Sequence, residues 1–92
     1  MNSHTTRRFR DALNALPEEV QRQAREAYHR FVDDPFHSSL RFKQVHPTRP
    51  IYSVRVNLDY RALGVRDDDE IVWFWIGSHA DYDRLVTQLE KH

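Results

Sequence analysis

The sequence predicts an α+β domain in two layers. An N-terminal helical hairpin packs on a four-stranded, mainly antiparallel sheet, and a short helix closes the chain. Three observations predict it. Apolar residues recur at helical spacing from Phe9 to Val32, and again from Tyr82 to Leu89. Between these stretches the period drops to two. The strand-like segments are joined by short links, which favour an antiparallel meander, and two sequential helices need an apolar sheet face to cover.

Residues 1–5 carry no pattern and read as a loose or weakly paired lead-in. Phe9, Ala12, Leu13 and Leu16 then form one helical face, with Thr5 or Thr6 as N-cap. Pro17 suits the first turn of a second helix, where its missing N–H is no loss; Glu18 and Glu19 favour that positive end. Val20, Ala24, Ala27, Tyr28, Phe31 and Val32 continue the helix until Asp33, Asp34 and Pro35 end it. Leu40 and Phe42 alternate with Arg41 and Lys43 as a first strand. After a loop with two prolines, Tyr52, Val54 and Val56 mark the inner face of a second strand. Asn57 to Asp59 turns the chain into a third, Tyr60 to Val65, in which Arg61 shares a face with Leu63 and Val65. A charged hairpin, Asp67 to Glu70, leads into the apolar run Ile71 to Ile76, a strand with both faces at least partly covered. Gly77 is expected to break it, and Ser78 or Asp81 to cap the last helix. The helices should cover the face of Tyr52, Val54 and Val56, leaving Arg55, Arg61 and Lys43 on the other.

A chain of 92 residues fits one domain, here residues 1–92. It has no cysteine, so disulfides and thiolate chemistry are ruled out. With no signal-like apolar core and no run of membrane-spanning length, a soluble, cytoplasmic protein without membrane contact is expected. Net charge is zero, with 14 basic and 14 acidic residues, but the charges are segregated. From Arg41 to Arg66 there are six basic residues and a single acid, Asp59. Local basic density of this kind can bind phosphate even when the total balances.

The histidines at 29, 37, 46 and 79 lack metal-ligand spacing, and those at 4 and 92 lie at the chain ends, so neither a metal nor a cofactor is expected. There is no Gly-rich phosphate loop and no nucleophile elbow. What remains is Arg55, Arg61, His79 and Tyr82: two guanidiniums, an imidazole and a phenol. That kit suits RNA cleavage. The 2′-hydroxyl is a built-in nucleophile that needs a base, an acid for the leaving 5′-oxygen and cations for the phosphorane. Histidine can serve as acid or base, arginine can hold phosphate oxygens, and Trp73, Trp75 and Tyr82 can stack bases. Each group also has a plain structural role open to it: surface arginine, core tryptophan, helix-capping histidine.

Five stretches carry a resemblance: Leu-Pro at 16–17, Ser-Leu-Arg-Phe-Lys at 39–43, Tyr-Ser-Val-Arg-Val at 52–56, Tyr-Arg-Ala-Leu-Gly at 60–64 and Trp-Ile-Gly-Ser-His-Ala-Asp-Tyr-Asp at 75–83. The chain resembles the RelE/ParE superfamily of bacterial type II toxins, and its tail resembles the HigB-type and related RelE-like branch. The resemblance implies a sheet backed by a helical hairpin, a cognate antitoxin partner, and growth inhibition by cleavage of messenger RNA on the ribosome, as an mRNA interferase. It implies a basic group at Arg55, a phosphate-stabilising arginine at Arg61, a catalytic role for His79 and a C-terminal tyrosine at Tyr82. Arg41, Lys43 and Asp83 are the expected substrate-binding neighbours. The family's usual first strand reads as short or missing here, and Ser53 stands where some members carry a second basic residue.

Two other functions stay open at this level. As in the ParE branch, the chain can be a non-enzymatic toxin that docks on a protein such as DNA gyrase. It can also be an inactive interaction module. In every case the antitoxin is expected on the open sheet face and the last helix.

Overall fold

The computed structural model describes residues 1–90; His92 lies outside the described residues. The elements are β1 (Asn2–Thr5), α1 (Arg7–Asn14), α2 (Glu18–Asp33), a 3₁₀ turn (Ser38–Leu40), β2 (Lys43–Gln44), β3 (Ile51–Arg55), β4 (Tyr60–Asp67), β5 (Glu70–Ser78) and α3 (His79–Glu90). The sheet has five strands in the order β1-β5-β4-β3-β2. β1 runs parallel to β5, and the other pairs are antiparallel.

The fifth strand corrects the expected four. The lead-in is β1, held by polar bonds that leave no apolar signature. Thr6 N–H donates to the Trp73 carbonyl at 3.0 Å and Asn2 N–H to the Asp69 carbonyl at 2.7 Å. The Trp73 indole N–H donates to Ser3 Oγ at 2.9 Å, and the Tyr28 hydroxyl to the Ser3 carbonyl at 3.1 Å. Thr6 then caps α1, its Oγ1 accepting from Phe9 N–H at 3.1 Å. Gln21 Nε2 donates to the Leu16 and Asn14 carbonyls, fastening α2 to the end of α1.

The strand expected at 40–43 shrinks to Lys43–Gln44. Leu40 is buried at the end of the 3₁₀ turn, and Arg41 takes a left-handed conformation at φ 50°, which no strand continues through. The hairpin between β4 and β5 turns at Asp68, also left-handed at φ 52°, a conformation Asp tolerates.

The hairpin α1–α2 covers one sheet face. Phe9, Ala27, Phe31 and Leu40 pack there with Val54, Ala62, Ile71, Trp73 and Ile76, and Tyr52 and Val56 lie against them. This is the predicted inner face. The helix α3 folds over part of the opposite face, where Tyr82, Leu85, Val86 and Leu89 meet Ile51, Leu63 and Trp75. A bulge at Leu63/Gly64 pairs Leu63 with Trp75 and Gly64 with Trp73, so Phe74 is the extra residue. The bulge lets the Trp73 ring serve the hairpin layer and the Trp75 ring serve the α3 layer.

Gly77 does not end the strand, which continues to Ser78. It is glycine because the Trp75 ring lies across it: a Cβ at this position would sit 2.6 Å and 2.8 Å from two indole carbons. A Gly77→Ala variant is expected to push Trp75 aside and cost about 1–3 kcal/mol. Urea unfolding followed by tryptophan fluorescence checks this; an unchanged midpoint would contradict the packing described.

Candidate active site

The sheet end next to the β5–α3 junction gathers the expected site residues. Arg55 on β3 is the register partner of Arg61 on β4, and Arg61 is the partner of Gly77 on β5. Two guanidiniums directly opposite one another repel. Within the described residues, Arg55 has no ion-pair partner. Burial pulls the Arg61 guanidinium below its ordinary value; Arg55 and Arg41 pull the same way, while Tyr82 and Asp83 oppose them. It remains a cation, because arginine does not lose its proton in proteins. The pair is therefore a place where an anion relieves a charge conflict built into the fold.

Arg61 is aimed by its own hairpin. Its Nη1 donates to the Asn57 carbonyl at 2.6 Å and to the Tyr60 carbonyl at 3.0 Å. Asn57 in turn closes that turn, its Oδ1 accepting from Asp59 N–H and Tyr60 N–H, both at 2.8 Å. One guanidinium nitrogen is thus spent on fixing the side chain, and the rest of the donor fork is left for a ligand. The sequence pattern marks Asn57 only as a turn residue; its coupling to Arg61 follows from the tertiary path of the side chain.

His79 opens α3, two residues past Gly77. Its backbone N–H donates to the Asp59 carbonyl at 2.7 Å, tying helix and β3–β4 hairpin together. Ser78 Oγ accepts from Asp81 N–H at 3.2 Å, the expected cap. The His79 Nδ1 lies 3.1 Å from Asp83 Oδ2, one helical turn on. A carboxylate only accepts, so Nδ1 carries the proton and Nε2 is left free. His79 is half-exposed.

Tyr82 is placed differently from the others. It is 8% exposed, and its hydroxyl donates to Ser53 Oγ at 3.3 Å. Its ring stands edge-on to His79, with centroids 5.8 Å apart. Lys43 is exposed on β2 opposite Ser53, and Arg41 is exposed beside the 3₁₀ turn. Of the two tryptophans, Trp73 is 3% exposed and hydrogen-bonded in the core, whereas Trp75 is half-buried on the Arg61 side. Of the two, Trp75 alone is partly exposed.

His46 is a buried histidine with another job. Its Nδ1 accepts from Thr48 N–H at 3.1 Å and Arg49 N–H at 2.9 Å, so Nε2 carries the proton and donates to the Leu89 carbonyl at 3.1 Å. It ties the proline loop to α3. No helix among the described residues is long and apolar enough to cross a membrane.

Known structures share this fold. YafQ from E. coli strain BL21(DE3) superposes with a TM-score of 0.70 at 8% identity, over 88% of this chain and 96% of that one. The RelB–RelE antitoxin–toxin complex from Methanococcus jannaschii contains a chain that matches at 0.70, with 14% identity and coverage of 88% and 96%. The archaeal RelE–RelB complex from Pyrococcus horikoshii OT3 gives 0.68, 18%, 84% and 92%. No curated protein sequence matches the chain. The sequence model of the ParE-like toxin domain matches residues 18–84, from the start of α2 through the β5–α3 junction. The chain belongs to the ParE-like toxin family, within the RelE/ParE superfamily.

Proposed function

We propose that the protein is the toxin of a type II toxin–antitoxin pair and acts as a metal-independent endoribonuclease on messenger RNA. The observation that carries this is the His79–Asp83 contact at 3.1 Å beside the opposed Arg55–Arg61 pair. The 2′-oxygen attacks the adjacent phosphorus, the bond to the 5′-oxygen breaks, and a 2′,3′-cyclic phosphate and a 5′-hydroxyl result. A proton leaves the 2′-hydroxyl and another reaches the 5′-oxygen. With Nδ1 held by Asp83, His79 Nε2 can take the first proton, or, when the ring is charged, give the second. Arg61 and Arg55 hold the phosphate oxygens and stabilise the extra charge of the phosphorane. Asp83 acts on His79, not on the substrate. Arg41 and Lys43 lie along the same side and meet the flanking backbone.

Tyr82 anchors α3 through Ser53. Losing one such hydrogen bond is worth about 1 kcal/mol of stability. In bacteria, induced expression is expected to arrest growth and create new internal messenger ends, mapped by sequencing of transcript termini. Tyr82→Phe is expected to keep both. Arrest lost in a folded Tyr82→Phe protein would return the phenol to the chemistry.

A cytoplasmic location and a cognate antitoxin follow from the same proposal; the RelE relatives named above were solved as antitoxin–toxin complexes. A second reading is favoured by the match to the ParE-like model: a non-enzymatic toxin docking on a protein such as DNA gyrase. It predicts arrest without new messenger ends.

A further inference from the structure

A polar cleft adjoins the site and, apart from Arg55, is not used by the chemistry above. It lies between α2, the 3₁₀ turn and the end of β3, has a volume of about 290 Å³, and is walled by Gln23, Glu26, Arg30, Ser39, Arg55 and Asn57. Its hydrogen-bond inventory is one-sided. Arg30 Nη1 donates to Ser39 Oγ at 3.2 Å, and that is its only side-chain bond among the described residues. Glu26 stands four residues before Arg30, the usual spacing for a helical ion pair, yet it pairs one turn back with Arg22. Asn57 Nδ2 donates to Gln23 Oε1 at 2.6 Å, which turns the Gln23 amide so that its NH₂ is free. The Asn57 Oδ1 is already occupied by backbone N–H groups. The groups left over are chiefly donors, the Arg30 and Arg55 guanidiniums and the Gln23 carboxamide, set against one carboxylate, Glu26, which Arg22 holds. Their complement is a compact anion with several acceptor oxygens.

The cleft also shares Arg55 with the Arg61 pair. Resting on the ribonuclease reading, we propose that the Arg30–Arg55 cleft binds a backbone phosphate of the RNA next to the one that is cut. Arg55 bridges the two phosphates, and Arg30 and Gln23 complete the second position; Ser39, whose hydroxyl is spent on His37 Nδ1 at 2.8 Å, only steadies Arg30. Such a contact sets the register of the strand and carries no sequence information. It therefore affects all messengers alike.

The test uses the full chain, a short RNA made uncleavable by 2′-O-methylation, and inorganic pyrophosphate. The Gln23 and Asn57 side-chain amides are followed by NMR, and RNA affinity by fluorescence anisotropy over a salt series. Saturable shifts of both amides with either probe are expected. Arg30→Gln should weaken RNA binding about tenfold and reduce the salt slope by about one, and Arg30→Lys should restore part of it. Arg30 is exposed on α2, so neither variant should disturb the fold. RNA binding by the wild type with both amides unmoved would overturn the proposal, as would an Arg30→Gln protein with wild-type affinity and slope. Shifts with pyrophosphate but none with RNA would overturn the RNA assignment. None of these readouts involves cleavage, so failure of the nuclease reading shows up separately, as wild-type protein that leaves cleavable messenger intact.

Discussion

Alanine at His79 or at Arg61 is expected to slow messenger cleavage by about 100- to 1,000-fold. Each residue supplies something the transition state needs more than the ground state: a proton position in one case, a donor fork for developing charge in the other. The two effects have different controls. His79 is half-exposed, and its ring contacts Asp83 at the surface, so His79→Ala should keep its urea midpoint. Arg61 also binds the Asn57 and Tyr60 carbonyls, so Arg61→Ala should lose stability as well, about 1–3 kcal/mol. Arg61→Lys separates charge from geometry. It keeps the cation but loses the planar fork, and should recover only part of the rate. Single-turnover cleavage with purified variants checks all three. Full activity in folded His79→Ala and Arg61→Ala proteins would remove these residues from the mechanism.

The largest expected effect on folding is at Phe31. This ring is 1% exposed, and it meets Phe42 edge-on at 5.0 Å and Trp73 at 5.2 Å. It is the point at which α2, the 3₁₀ connection and β5 come together. Phe31→Ala removes a whole aromatic ring from a site where the neighbours belong to three different elements and cannot all collapse inward. About 3–5 kcal/mol is expected from such a truncation. That is a large part of the roughly 5–15 kcal/mol typical of a domain. Urea denaturation should show a much lower midpoint. A shift no larger than that of a surface alanine would mean the hairpin is not seated as described.

Phe31 also illustrates how far apolar spacing alone dictates the core. Its helical spacing with Val20, Ala24 and Ala27 places it on the inner face of α2, and burial of Val20, Ala27 and Phe31 confirms that face. The alternation of Tyr52, Val54 and Val56 likewise assigns the sheet's inner side. Polar elements are not legible in this way. β1 is built from Asn2, Ser3, His4 and Thr5 and owes its place to hydrogen bonds with β5 and the Trp73 indole, which leave no period in the sequence. The β2 segment misleads in the opposite sense: Leu40 and Phe42 alternate with charges, but the left-handed turn at Arg41 intervenes.

The same division holds at the candidate site. Residues whose position follows from strand or helix arithmetic, such as Arg55 opposite Arg61 and His79 one turn before Asp83, can be grouped from the sequence. Tyr82 cannot be resolved that way. Its place on α3 fits a catalytic phenol and a core contact alike; the proposal of a core contact rests on its 8% exposure and its bond to Ser53 at 3.3 Å. Arg30 gives no signal in the sequence because its partner surface is assembled from α2, the 3₁₀ turn and β3, which lie far apart in the chain.

The most direct test of the central claim is cleavage of a messenger during translation, with purified protein and a single 2′-deoxy substitution at the position that is cut. The proposed chemistry predicts cleavage of the unmodified messenger, with a 2′,3′-cyclic phosphate and a 5′-hydroxyl at the new ends, and no cleavage at the deoxy position. Cutting at the deoxy position, or intact messenger while the protein arrests growth, would contradict it.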